Sequence, residues 1–111
     1  MPKAIEVPHH EREDFQKCSV QACVNLLIKN NNRHGSKEDP RLQIKHWLKA
    51  QIGQLVFAEL VYINKTKTAV YGQIGIIVEV LPVTSFYPSL ELLISDGLVK
   101  ATAANVYLKY S

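Results

Sequence analysis

The chain has 111 residues, 47% of them hydrophobic and 21% charged, with a formal net charge of +3. That length suits one domain, with or without an appendage, that buries roughly two-thirds of its unfolded surface without staples, and the composition argues against global disorder. The small positive excess falls below that of a dedicated nucleic-acid binder, two cysteines make no disulfide framework, and no window approaches the ~18 consecutive apolar residues of a membrane span.

Residues 1–12 contain Pro2 and Pro8 and little periodicity, and read as an extended arm. The opening "MPKAIEVPHHERED" has no apolar signal core, so the chain is expected to be unsecreted, which leaves Asn64-Lys65-Thr66 without a role in glycosylation. From Glu13 the pattern turns helical. Phe15, Cys18, Ala22 and Leu26 recur at three- and four-residue steps, with Cys23 and Leu27 widening the stripe. The segment "KNNNRHG" is expected to end this helix, because Lys29 and Arg33 suit a C-terminus and the asparagines and Gly35 favour caps and turns. Asp39-Pro40 reads as an N-cap followed by proline at the first helical position. The helix it opens, "PRLQIKHWLKAQ", places Ile44, Trp47, Leu48 and Gln51 on one face. Residues 13–51 therefore read as a helical hairpin.

The second half changes period. "GQLVFAELVYI" (53–63) predicts a strand, and "KTKT" (65–68) a polar break. "GIIVEVL" (75–81) predicts a second strand, and "PVTSFYP" (82–88) a loop bracketed by prolines. "LELLIS" (90–95) and "LVKATA" (98–103) predict two more, joined by Asp96-Gly97, a strong hairpin signal. "ANVYLKY" (104–110) reads as a short turn and strand. Strands in series without an intervening helix imply an antiparallel meander closed into a small barrel.

"YGQIGIIVEV" (71–80) has two glycines three apart. A dinucleotide fingerprint needs a strand, three glycines and then a helix, and a P-loop needs Gly-Lys-Ser/Thr; neither is present. Gly72 and Gly75 read instead as backbone geometry that turns the chain into a strand. Together with "IGQLVFAELV" (52–61) and "LELLISDGLVKATAANVYL" (90–108), this stretch resembles the SH3-like barrel proteins common among bacteriophage open reading frames. It is also similar to the KOW-type barrels of ribosomal and transcription proteins. The resemblance covers residues 52–110 alone and implies a small antiparallel SH3-like β-barrel (52–111); with the extended arm (1–12) and the helical hairpin (13–51) read from the residues, the chain is expected to be α+β. Residues 69–99 hold no lysine or arginine, unlike KOW barrels that contact RNA phosphates, so the barrel core reads as a poor nucleic-acid site.

Tests for chemistry return little. His9, His10, Cys18, Cys23, His34 and His46 carry zinc-type ligands, but the cysteines fall within an apolar helical pattern and read as packing residues. Ser19, Ser85 and Ser95 lack a nucleophile elbow, and Ser95-Asp96-Gly97 reads as a turn. Glu11, Glu13 and Asp14 suit a helix N-terminus better than acid–base catalysis. No enzyme activity, metal or cofactor is expected.

Two surfaces remain. Phe86 and Tyr87, held between Pro82 and Pro88, make either a rigid contact patch or a cover for the barrel end; with Lys65 and Lys67 they are the candidate partner-binding residues. Lys29, Arg33, Lys37, Arg41, Lys45 and Lys49 are either a solvated helix face or a phosphate-contacting edge. The leading expectation is a non-enzymatic assembly or binding module, as the resemblance implies a bacteriophage virion component of capsid-decorating or connector type or a small accessory protein, with virion proteins as partners and the virion or infected-cell cytoplasm as its place. A nucleic-acid-binding module using the 29–49 face is the alternative, and a host-directed regulator is a third reading.

Overall fold

The computed structural model describes residues 13–33, 35, 38–63 and 68–110; the arm at 1–12, Lys37, Lys65 and Lys67 lie outside them. Helix α1 (Val20–Arg33) follows Ser19, whose hydroxyl accepts a hydrogen bond from the Ala22 amide at 3.3 Å. A serine there satisfies one of the donors a helix start leaves orphaned. The helix therefore begins at Val20 and not at Glu13. The backbone before it is used elsewhere: the Gln16 amide donates to the Leu108 carbonyl at 2.8 Å, and the Tyr110 amide donates to the Asp14 carbonyl at 3.0 Å. Phe15 and Lys109 thus form an antiparallel bridge.

The later start also changes the buried face of α1. Val20 and Val24 are buried and Ile28 packs against the core, an i, i+4 stripe. Leu26, expected inside, is 59% exposed. Helix α2 (Pro40–Lys49) forms as the sequence predicts. The Asp39 carboxylate accepts from the Arg41 amide at 3.0 Å, Pro40 takes the first turn, and Ile44 and Leu48 are fully buried.

Five strands follow: β1 (Leu55–Ile63), β2 (Thr68–Val80), β3 (Ser89–Ile94), β4 (Gly97–Thr102) and, after one 3-10 turn (Ala103–Asn105), β5 (Val106–Leu108). All neighbours are antiparallel, in the order β4-β3-β2-β1-β5. The sheet is open, and the closed barrel expected from the sequence is not observed. β4 forms one edge, while the bridge at Phe15 covers β5 at the other. The β3–β4 hairpin turns at Ser95 and Asp96, with Gly97 at φ 114°.

β2 is longer than its predicted span. It pairs with β1 from Thr68 to Ile76 and with β3 from Ile76 to Val80, with a register shift between Ile77 and Glu79. The shift leaves one extra residue, Val78, in β2 opposite β3, the count of a β-bulge. Gly72 and Gly75 therefore lie inside β2 and not at a turn leading to it, and neither has positive φ. Their role is close approach. A β-carbon at Gly72 would strike the Phe57 ring, and one at Gly75 would stand 2.8 Å from both the Leu93 carbonyl oxygen and Ile94 Cγ2.

Helices and sheet share one core. Val20, Val24, Ile44 and Leu48 pack with Val56, Ala58, Leu60, Ile77, Leu90, Leu92, Ala101, Val106 and neighbours. Strand alternation sends Leu55, Phe57, Ile76, Leu93 and Leu98 to the opposite face. There Phe15 and Phe57 are buried against each other, ring centroids 5.9 Å apart, outside the main core.

Candidate binding groove beside helix α2

Arg41, Lys45 and Lys49 repeat every four residues along α2 and are exposed, so they form one cationic stripe. The segment from Glu79 to Tyr87 runs opposite this stripe. Two depressions lie beside α2, each lined by part of this stripe and part of this segment. One, of about 510 Å³, is lined by Lys45, Lys49, Glu79 and the chain from Val80 to Val83. The other, of about 420 Å³, is lined by Asp39, Arg41 and the chain from Thr84 to Tyr87. Phe86 and Tyr87 thus share a depression with Arg41, while Lys45 and Lys49 line the other with Glu79.

The aromatic wall is fixed in place. Gln21 on α1 is buried, and its amide donates to the Phe86 carbonyl at 2.8 Å and to Asn25 Oδ1 at 3.0 Å. The Tyr87 amide donates to Ser85 Oγ at 3.1 Å, and Pro88, itself buried, accepts from the Ala103 amide at 3.0 Å. The loop backbone is tied to both helix and sheet, yet the Tyr87 side chain remains 77% exposed and that of Phe86 43%. An exposed aromatic on a restrained backbone loses little entropy on binding.

The cationic wall is partly neutralised. Arg41 donates to both Asp39 carboxylate oxygens, from Nη2 at 3.0 Å and from Nε at 3.3 Å. The hydrogen bond from the Arg41 side chain, reinforced by its backbone amide, holds the Asp39 carboxyl below its ordinary range, while Asp39 raises the Arg41 guanidinium. With Glu79 at the other end, three cations face two carboxylates. Lys29 and Arg33, also exposed, belong to α1, so the six cations do not form a single helix face.

Gln21 and Glu79 were not read as site residues from the sequence. A polar residue beside an apolar helical stripe was the signal available for Gln21. Among the described residues no group of three potential metal ligands occurs. Cys18 is exposed ahead of α1, whereas Cys23 is partly buried, and burial, followed by the nearby Cys18, pushes its thiol up. No described helix is long and apolar enough to cross a membrane. No known protein family matches the chain, and neither a curated protein nor a solved structure is detectably similar to it.

Proposed function

We propose that this chain is a non-enzymatic protein-binding module whose groove beside α2 takes an extended segment of a partner protein. The observation that carries the reading is Tyr87 with Phe86, solvent-exposed on a backbone anchored by buried Gln21 and sharing a depression with Arg41 of α2. The aromatic end suits an apolar or aromatic side chain of the partner, and Lys45 and Lys49 suit a carboxylate. Asp39 and Glu79 in the lining weigh against a nucleic-acid backbone, which rewards uninterrupted cationic contacts. A fluorescent peptide with one tyrosine followed by two glutamates is the probe. Tyr87→Ala and Lys45→Glu should each weaken its binding about tenfold. Equal affinity for wild type and both variants would remove the groove from the account.

The finer fold reading belongs with this proposal. The sheet is taken as SH3-like, supported by the return of β5 to pair with β1, the bulged β2 that serves both halves of the sheet, and the single 3-10 turn before β5. The phage-type resemblance of residues 52–110 supports a virion component or phage accessory protein as the biological setting. Mass spectrometry of purified virions of a phage whose genome carries the open reading frame tests this setting: recovery of the chain supports a virion role, and its absence removes that role.

A further inference from the structure

The outward face of the sheet carries an aligned apolar row. Leu55 pairs with Ile76, Ile76 with Leu93, and Leu93 with Leu98, so each of β1 to β4 contributes one large side chain. Exposure rises along the row, from 39% at Ile76 to 46% at Leu93 and 64% at Leu98. Beside it, Glu91 pairs with Lys100 and supplies a charged rim. The row is thus least covered where the sheet stops. At the β5 end the chain has covered its own edge with the bridge at Phe15; at the β4 end no described residue does so.

The backbone of β4 is open at the same place. The two-residue turn makes Ile94 and Gly97 the first hydrogen-bonded pair, and bonding alternates from there. Leu98, Lys100 and Thr102 consequently direct their amides and carbonyls toward the open edge. Unpaired groups in a row are a template for another strand.

We infer that this edge is the interface of a homodimer, formed by antiparallel pairing of β4 with β4 of a second copy about a two-fold axis. Charge selects the register. Centring the pair on Lys100 would place two ammonium groups directly opposite each other, which destabilises a strand pair. Centring it on Leu98 joins the two apolar rows through Leu98 and the partner's Leu98. It also sets Lys100 opposite the partner's Asp96, twice over by symmetry. Asp96 ends the turn two residues before Leu98, and Lys100 lies two residues after it, the spacing that this register requires. The two sheets then continue as one, with an apolar centre and a charged rim. None of Leu98, Lys100 and Asp96 lines the groove beside α2, so this interface stands or falls independently of it.

Sedimentation velocity of the full chain, from low micromolar to millimolar concentration, tests the inference. Wild type should pass from monomer to dimer as concentration rises. Leu98→Lys should raise the dissociation constant at least about tenfold. Lys100→Glu and Asp96→Lys should each weaken the homodimer, and an equimolar mixture of the two should dimerise again, because both opposed pairs then carry opposite charges. The far-UV circular dichroism of each variant checks folding; these side chains are exposed, and Lys100→Glu serves if Leu98→Lys misfolds. Tyr87→Ala should leave dimerisation unchanged. A wild type monomeric at every concentration would mean that Lys100 guards the edge against pairing, and would overturn the inference. So would a dimer insensitive to Leu98→Lys, or a mixture that fails to recover.

Discussion

The ring of Phe57 lies across the α-carbon of Gly72. The two residues are diagonal neighbours on β1 and β2, since Phe57 pairs with Ile74 and Glu59 with Gly72. The absence of a side chain at 72 makes room for the ring, which Phe15 then covers from the side. Gly72→Ala should cost about 1–3 kcal/mol in urea denaturation, the range for forcing extra volume into a packed site. Gly75→Ala should cost more, because its β-carbon would meet the Leu93 carbonyl, and backbone gives way less readily than a ring. Wild-type stability for both variants would show that these glycines are not close-approach positions.

Gln73 lies between those glycines and is buried, with Nε2 lacking a hydrogen-bond partner among the described residues. A buried amide donor without a partner costs about 1–3 kcal/mol. Gln73→Met keeps the length of the side chain and removes the donor, so it should raise the denaturation midpoint by the equivalent of about 1 kcal/mol. A fall in the midpoint would mean that the amide is satisfied in solution.

The Asp39 carboxyl should titrate below the ordinary aspartate value of about 3.9, because the Arg41 side chain and amide bond its charged form. A lowered folded-state value stabilises the fold above the ordinary pKa, and that contribution is lost as pH falls through the lowered value. The pair is exposed, so the shift should shrink in high salt. Carboxyl-detected NMR titration of wild type and Arg41→Ala checks this: the variant should titrate closer to the ordinary value. An identical midpoint in the two proteins would exclude the Arg41 side chain as the cause.

The hydrogen bond from Gln21 to the Phe86 carbonyl holds the aromatic wall of the groove. Gln21→Met should lower stability by about 1 kcal/mol, the net worth of one such bond. Faster amide hydrogen exchange at residues 84–87, with α2 and β1 unchanged, should accompany it. Unchanged exchange in the loop would mean that the Gln21 bond does not hold it.

Much of the architecture is legible in the sequence. Asp39-Pro40 announces α2 through capping chemistry that acts within one turn, and Gly97 marks the β3–β4 hairpin through a conformation that favours glycine. Both are local signals. Phe15 fits a helical stripe by spacing, but α1 starts only at Val20, because backbone bonds to the distant residues Leu108 and Tyr110 make the segment before it extended. The burial of Leu26 was misjudged for the same reason, since Val20, Val24 and Ile28 supply the face that packs. Gly72 and Gly75 were read as turn residues because glycine in isolation does not distinguish positive φ from close contact. Phe57, across the sheet, decides for Gly72. Phe86, Tyr87, Arg41, Lys45 and Lys49 were all picked out by residue type. That Arg41 lines one depression with Phe86 and Tyr87, and that Lys45 and Lys49 line a second with the chain from Glu79 to Val83, follows from how α2 and the loop after β2 pack, which no local pattern encodes.

The central claim is that the groove between α2 and the Pro82–Pro88 loop binds an extended acidic and aromatic segment of a protein. Its most direct test is a heteronuclear NMR titration of the ¹⁵N-labelled chain with the tyrosine–diglutamate peptide, repeated with oligo(dT). Amide shifts confined to residues 39–49 and 79–88, saturating with the peptide and lost in Tyr87→Ala, are the expected result. Shifts elsewhere on the chain, no shifts at millimolar peptide, or tighter and steeply salt-dependent binding of oligo(dT) to the same residues would contradict it.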